Sequence, residues 1–332
     1  MDSYKPAIKV QGYITFISFV LLIAKFWAYQ MTQSVSILTD ALESIVNVVA
    51  GIITLLSLKI AAKPRDNSHP YGHGKAEFIS AGIEGTLIVL AGFFIFYEAT
   101  LRFFEPQPLK QIEQGLWILA LSGIINLAAG WWSIQTGKRS NSAGITASGK
   151  HLLSDALSTT GLILGLWLLK ITGWQWLDSA MAILFGCILI ITGYKIVRSS
   201  LAGIMDEADE ELMQKLVTLL NANRKSDWID LHNLRLIKYG NRLHIDCHLT
   251  LPWYYNLHEA HQKVDELTDL VTGNFGDAVE FFIHTDGCLP FCCKICHKQD
   301  CKVRQESFLQ TIEWTTQNLF QDKKHATINS IG

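Results

Sequence analysis

Six bilayer-spanning α-helices followed by a cytoplasmic αββαβ domain is the fold class this chain predicts, and three observations predict it. The first 200 or so residues carry six apolar runs, each close to the ~20 residues that cross a bilayer. Cations collect on alternate connections between those runs. Beyond them the apolar spacing changes to that of short helices and strands in an ionic background.

The runs are residues 11–30, 35–58, 78–101, 113–136, 143–169 and 177–197. Hydrophobic residues make up 49% of the 332 and charged ones only 17%, which is apolar for a soluble protein. Lys5, Lys9, Lys59, Lys63, Arg65, Lys75, Lys138, Arg139, Lys195 and Arg198 lie on one side of the runs, against Arg102, Lys110 and Lys170 on the other. By the positive-inside rule both termini are cytoplasmic. Trp131, Trp132, Trp174 and Trp176 fall near run ends, where aromatic belts sit. Lys25 is close enough to the end of the first run to snorkel. No small-residue cleavage pattern follows Met1 to Val10, so the first run is expected to stay as an anchor. A net charge of −2 with no basic stripe argues against a nucleic-acid partner.

The soluble part begins near residue 204. Residues 210–222 have helical spacing through Leu212, Leu216, Leu219 and Leu220. Residues 232–239 and 242–251 read as strands; in the second, Leu243, Ile245, Cys247, Leu249 and Leu251 alternate with His244, Asp246, His248 and Thr250. A helix over 256–272 and a strand over 280–284 complete the αββαβ order, two helices on one face of an open sheet. The expected divisions are 1–203, 204–287 and a Cys-rich tail, 288–332, with an amphipathic pattern through Phe308, Ile312, Trp314 and Leu319.

Four groups of side chains could hold a cation. Glu43 and Asn47 in the second run, and His151 and Asp155 in the fifth, are each four residues apart, so each pair lies on one helix face. Two such helices face to face would cage a divalent ion, and ionisable groups at membrane depth are costly enough to imply a function. Asp40, one turn before Glu43, could line the way in or make a helix contact. In the loop DNSHPYGHGKAE, Asp66, His69 and His73 lie within eight residues, with Pro70, Gly72 and Gly74 preventing a regular helix; a metal loop and a solvated turn are equal readings. Seven of eleven histidines fall between His232 and His297, and several converging from separate elements, with Asp286, suit zinc or a similar cation. Cys288, Cys293, Cys296 and Cys301 give C-x4-C-x2-C-x4-C, with Cys292 and His297 to spare. In a reducing cytoplasm this favours a structural zinc over an iron–sulfur centre or disulfides.

These features together resemble the cation diffusion facilitator family, and most closely its YiiP-like bacterial members, over about residues 10–290. TDALESIVN and HLLSD are similar to the family's paired-ligand motifs, and DNSHPYGHGKAE follows the YiiP-like loop nearly residue for residue. The resemblance implies a homodimer of six-helix protomers in the bacterial inner membrane, with metallochaperone-like cytoplasmic domains, exporting divalent transition metals in exchange for protons: a secondary active transporter rather than an enzyme. It places the transport site on Glu43, Asn47, His151 and Asp155, and a second site on Asp66, His69 and His73. It places a cytoplasmic dimer-interface site on His232, His248, His261, His284 and Asp286, and a pair interlocking the protomers on Lys75 and Asp206.

The chain departs from the YiiP-like pattern at Glu43 and Asn47, both Asp in that pattern, and in its tail. Three oxygen donors and one nitrogen form a harder set than a two-His site, which brings Fe²⁺, Mn²⁺ and Co²⁺ in beside Zn²⁺. His151, with an ordinary pKa of ~6.5, is the expected proton-exchanging ligand. The alternative is a membrane-anchored metal sensor or buffer that does not transport.

Overall fold

The computed structural model describes residues 5–104, 111–139, 143–240, 242–276 and 278–326; Lys110 and the side chain of Lys5 lie outside the described residues. Contacts divide the chain into two units, 1–205 and 206–332.

The first unit consists of α1 (Lys5–Thr32), α2 (Val35–Ala61), α3 (Ala76–Phe104), α4 (Ile112–Arg139), α5 (Ala143–Thr172) and α6 (Trp176–Ile204). All six are long and apolar enough to cross a membrane. They pack chiefly in pairs, α1 with α2, α3 with α6 and α4 with α5. In the α3–α6 seam a Cβ at Gly85 would stand 2.9 Å from the Gly193 carbonyl, and one at Gly92 would stand 3.0 Å from that of Gly186. Small residues let the two backbones touch where lipid supplies no hydrophobic drive. The start of α2 is tied down from α6: the Asp178 carboxylate accepts from Ser34 Oγ (2.6 Å), Val35 N (2.7 Å) and Ser36 N (3.2 Å). An anion among unpaired amides at a helix N-terminus is a favourable arrangement.

The second unit has α7 (Glu210–Ala222), β1 (Asp230–Tyr239), β2 (Arg242–Leu251), α8 (Leu257–Phe275), β3 (Val279–Gly287), a 3-10 turn (Pro290–Lys294) and α9 (Thr316–Leu319). The sheet order is β1-β2-β3, with β1 antiparallel and β3 parallel to β2. Leu216, Leu220, Leu267 and Val271 of the two long helices meet Leu231, Ile245 and Leu249 of the sheet in one core.

The tail differs from its sequence pattern. Only Thr316–Leu319 is helical where the spacing suggests a helix through 305–320. Trp314 is the physical reason. It sits fully buried in the core, and its amide and carbonyl pair with the Asn221 side chain (3.2 and 2.6 Å) instead of with a helix ladder. Arg224 stacks 4.1 Å over its ring and donates to the Ile312 carbonyl.

Candidate metal centres

Among the described residues, metal-capable side chains close to within 4.8 Å of one another in three groups: Glu43 with His151 and Asp155, Asp66 with His69 and His73, and His232 with His248 and Asp286.

The first group lies where α2 passes α5. Helical spacing stacks Glu43 over Asn47 and His151 over Asp155, and the crossing turns the two faces together. Asn47 spans the opposite helix: His151 Nε2–H donates to its Oδ1 (2.7 Å), and its Nδ2 donates to Asp155 Oδ2 (2.6 Å). His151 Nδ1 stands 3.6 Å from Asp155 Oδ1. All four sequence-expected residues therefore meet. Glu43, His151 and Asp155 are buried and Asn47 is half-buried; Asn47 and His151 face a small cleft also lined by Gln11, Glu84 and Ser148. A divalent ion here would face two carboxylates, one imidazole and one amide, and must break the Asn47 bridge to enter.

Lys25 does not snorkel. It is fully buried, and its Nζ lies 2.9 Å from Asp40 Oδ1, which also accepts from Thr159 Oγ1 (3.0 Å). Asp40 is thus a contact joining α1, α2 and α5, one turn along α2 from Glu43.

In the loop, Asp66 Oδ1 accepts from Ser68 N, Ser68 Oγ and His69 N (3.0, 2.9 and 2.7 Å). The Ser68 hydroxyl and then the His69 amide hold its pKa down to about 2. His69 Nδ1 and His73 Nε2 lie 3.2 and 3.5 Å from the same carboxylate. The three expected residues converge on one spot.

The sheet builds the third group by register. His232 pairs with His248 across β1 and β2, and His248 with His284 across β2 and β3, so three imidazoles form one row. Asp286, two residues on, returns to the same face. Its Oδ2 lies 3.3 Å from His232 Nε2 and 3.5 Å from His248 Nδ1. His284 lies with its ring centroid 4.7 Å from that of His248, tilted by 45°, but is largely exposed. His261 does not join them: it lies on the outer face of α8, 71% exposed and 3.8 Å from Asp265, because α8 turns Leu267 and Val271 to the sheet. Sequence spacing missed Asp230, buried behind His232. Burial opposes its charge, but hydrogen bonds from His232 and His325 hold its pKa down to about 2.

The tail cysteines are all free thiols, and they lie outside the three convergent groups. Cys292 and Cys296 pack with Ile229, and burial pushes the Cys292 thiol up to about 11. Lys75 donates to the Ile204 carbonyl (3.3 Å), and Asp206 opens the second unit with φ of 59°.

Two family patterns match the chain: the cation efflux transmembrane domain over residues 13–205 and the cation efflux protein, cytoplasmic domain, over 208–288. An uncharacterized transporter of Synechocystis is 32% identical over 243 residues, covering 73% of this chain and 78% of its own. The cation-efflux pump FieF of Shewanella oneidensis is 28% identical, covering 80% and 89%. The metal cation efflux system protein CzcD of Cupriavidus metallidurans is 30% identical, covering 59% and 62%.

Proposed function

The chain belongs to the cation efflux family, and from that premise we propose that it exports a divalent transition metal ion from the cytoplasm in exchange for protons, as a homodimer in the bacterial inner membrane with both termini cytoplasmic. The observation carrying this reading is the meeting of Glu43, Asn47, His151 and Asp155 between two apolar, membrane-length helices. Two carboxylates balance a doubly charged ion, and ligands that bind metal must first lose their protons, so the same atoms serve both substrates. The harder donor set extends the expected cargo from Zn²⁺ to Fe²⁺, Mn²⁺ and Co²⁺.

The direction of loading is supported by the cleft. It opens on the side of the ligands where α1, α3 and α5 begin and α2 ends, the side that carries the basic residues. Asp66, His69 and His73 supply a second cation site on that face. His232, His248 and Asp286, with His284 beside them, supply a third, through which cytoplasmic metal would favour one arrangement of the two protomers. Lys75 and Asp206 are proposed to interlock the protomers, and the tail cysteines to hold a structural zinc.

Proteoliposomes test the reading. The intact chain should accumulate Zn²⁺ with counterflow of protons, and Glu43→Ala or Asp155→Ala should abolish both. Vesicles that bind zinc through the intact chain but never move it would replace the exporter with a membrane-anchored buffer.

A further inference from the structure

The tail after residue 288 lies outside both family patterns, yet its last described turn returns to the cytoplasmic metal site. Asn233 N donates to the Gln321 carbonyl (2.9 Å) at the bulge in β1 between His232 and Arg235, where Asn233 takes a φ of 50°. Four residues on, His325 grips Asp230 twice: its backbone N donates to Oδ2 (2.9 Å) and its Nδ1 to Oδ1 (2.5 Å). Asp230 Oδ2 in turn lies 3.5 Å from His232 Nδ1, on the far side of the ring from Asp286. Between these contacts Lys324 Nζ donates to the Gly287 carbonyl (2.9 Å) and stands 3.8 Å from Asp286 Oδ2. That oxygen is the one facing both His232 and His248.

We propose that the segment from Gln321 to His325 is a working part of the cytoplasmic metal site, in which two adjacent residues act in opposite senses. His325 is a positioning residue. It fixes Asp230 beside the outer nitrogen of His232, and a carboxylate facing that nitrogen favours the tautomer that leaves the other nitrogen free for a cation and raises its basicity. Lys324 is a resident positive charge at the oxygen where the ion would bind, and an arriving divalent cation must displace it. The tail thereby sets the concentration at which the site fills: His325 strengthens the ligand, Lys324 raises the threshold. The inference rests on the reading of His232, His248 and Asp286 as a metal site.

The test is a Zn²⁺ titration of the full-length protein against a chromophoric chelator, in an Asp155→Ala, His73→Ala background. The cytoplasmic site is the part of the isotherm abolished by His248→Ala. His325→Ala should weaken that part ~10–100-fold. Lys324→Gln should tighten it about tenfold, and Lys324→Arg, which keeps the charge, should leave it at the parent value. A tail that merely props up the domain would shift His325→Ala and Lys324→Gln the same way, so a common direction, or no change in either, overturns the proposal. Absence of any His248-dependent zinc binding in the parent instead overturns the reading of the site, and the proposal with it.

Discussion

Lys25 and Asp40 form an ion pair sealed inside the helix bundle, Nζ to Oδ1 at 2.9 Å, with both side chains almost wholly out of solvent. The pair sits one turn along α2 from Glu43, and Thr159, one turn along α5 from Asp155, closes on the same oxygen. Pairing Asp40 with Lys25 leaves Glu43 and Asp155 as the two carboxylates among the four proposed ligands, which matches the charge of a divalent ion; Glu84 lines the cleft beside them. Removing one partner strands a charge in a dry interior, at a cost of ~3–5 kcal/mol. Lys25→Met should therefore strongly destabilise the transmembrane unit, and adding Asp40→Asn should recover most of the loss. Thermal unfolding in detergent checks this; equal losses in the single and double variants would contradict it.

Asn47 bridges His151 and Asp155, so an ion entering the proposed site must displace these bonds before it can use the amide oxygen. Asn47→Asp exchanges a neutral oxygen for an ionised one, and ligand charge count is what tunes the affinity of an oxygen site for a divalent ion. Zinc should bind at least about tenfold tighter, with more protons released per ion bound. Calorimetry in two buffers of different ionisation enthalpy reads both quantities.

Gly149 lies two residues before His151, and a Cβ there would stand 2.7 Å from Ile134 N and 2.8 Å from the Gly130 carbonyl. Both are backbone atoms of α4, so the helices must part. Gly149→Ala should cost ~1–3 kcal/mol and weaken metal binding by moving His151. Gly12→Ala, with nothing within 4 Å of its Cβ, is the matched control and should be silent.

Asp230 gives the soluble unit a pH signature. Its folded pKa of about 2 lies below the ordinary aspartate value, which is ~3.9. The contribution to stability is thus present in full above about pH 4 and is lost as pH falls toward 2. The protection of β1 amides, from hydrogen exchange corrected for its intrinsic pH dependence, should fall between these limits more in the wild type than in Asp230→Asn, which is already weakened at neutral pH.

The sequence discloses whatever depends on local spacing. Six apolar runs, the paired donor side chains on α2 and α5, and the αββαβ order all follow from periods of 3.6 and 2, and Asp66, His69 and His73 lie near one another along the chain. Contacts fixed by long-range pairing are not visible that way. Lys25 suggests a snorkelling side chain because its run ends nearby, but its partner is on the next helix. His261 shares its residue type with the row of sheet imidazoles, yet helix phase turns it outward. Lys324 and His325 stand 94 and 95 residues beyond Asp230 in the chain, and no motif links them to it. Trp314 makes the tail's apolar pattern look helical, whereas it marks one anchor in the core.

X-ray absorption at the zinc edge, on protein whose loop, cytoplasmic and tail donors have been replaced, probes the membrane site alone. One bound ion with an imidazole and an otherwise oxygen shell at ~2.0–2.2 Å, lost on Glu43→Ala or Asp155→Ala, is the predicted result. Zinc that stays bound in both variants, or no zinc bound to the parent, would contradict the assignment.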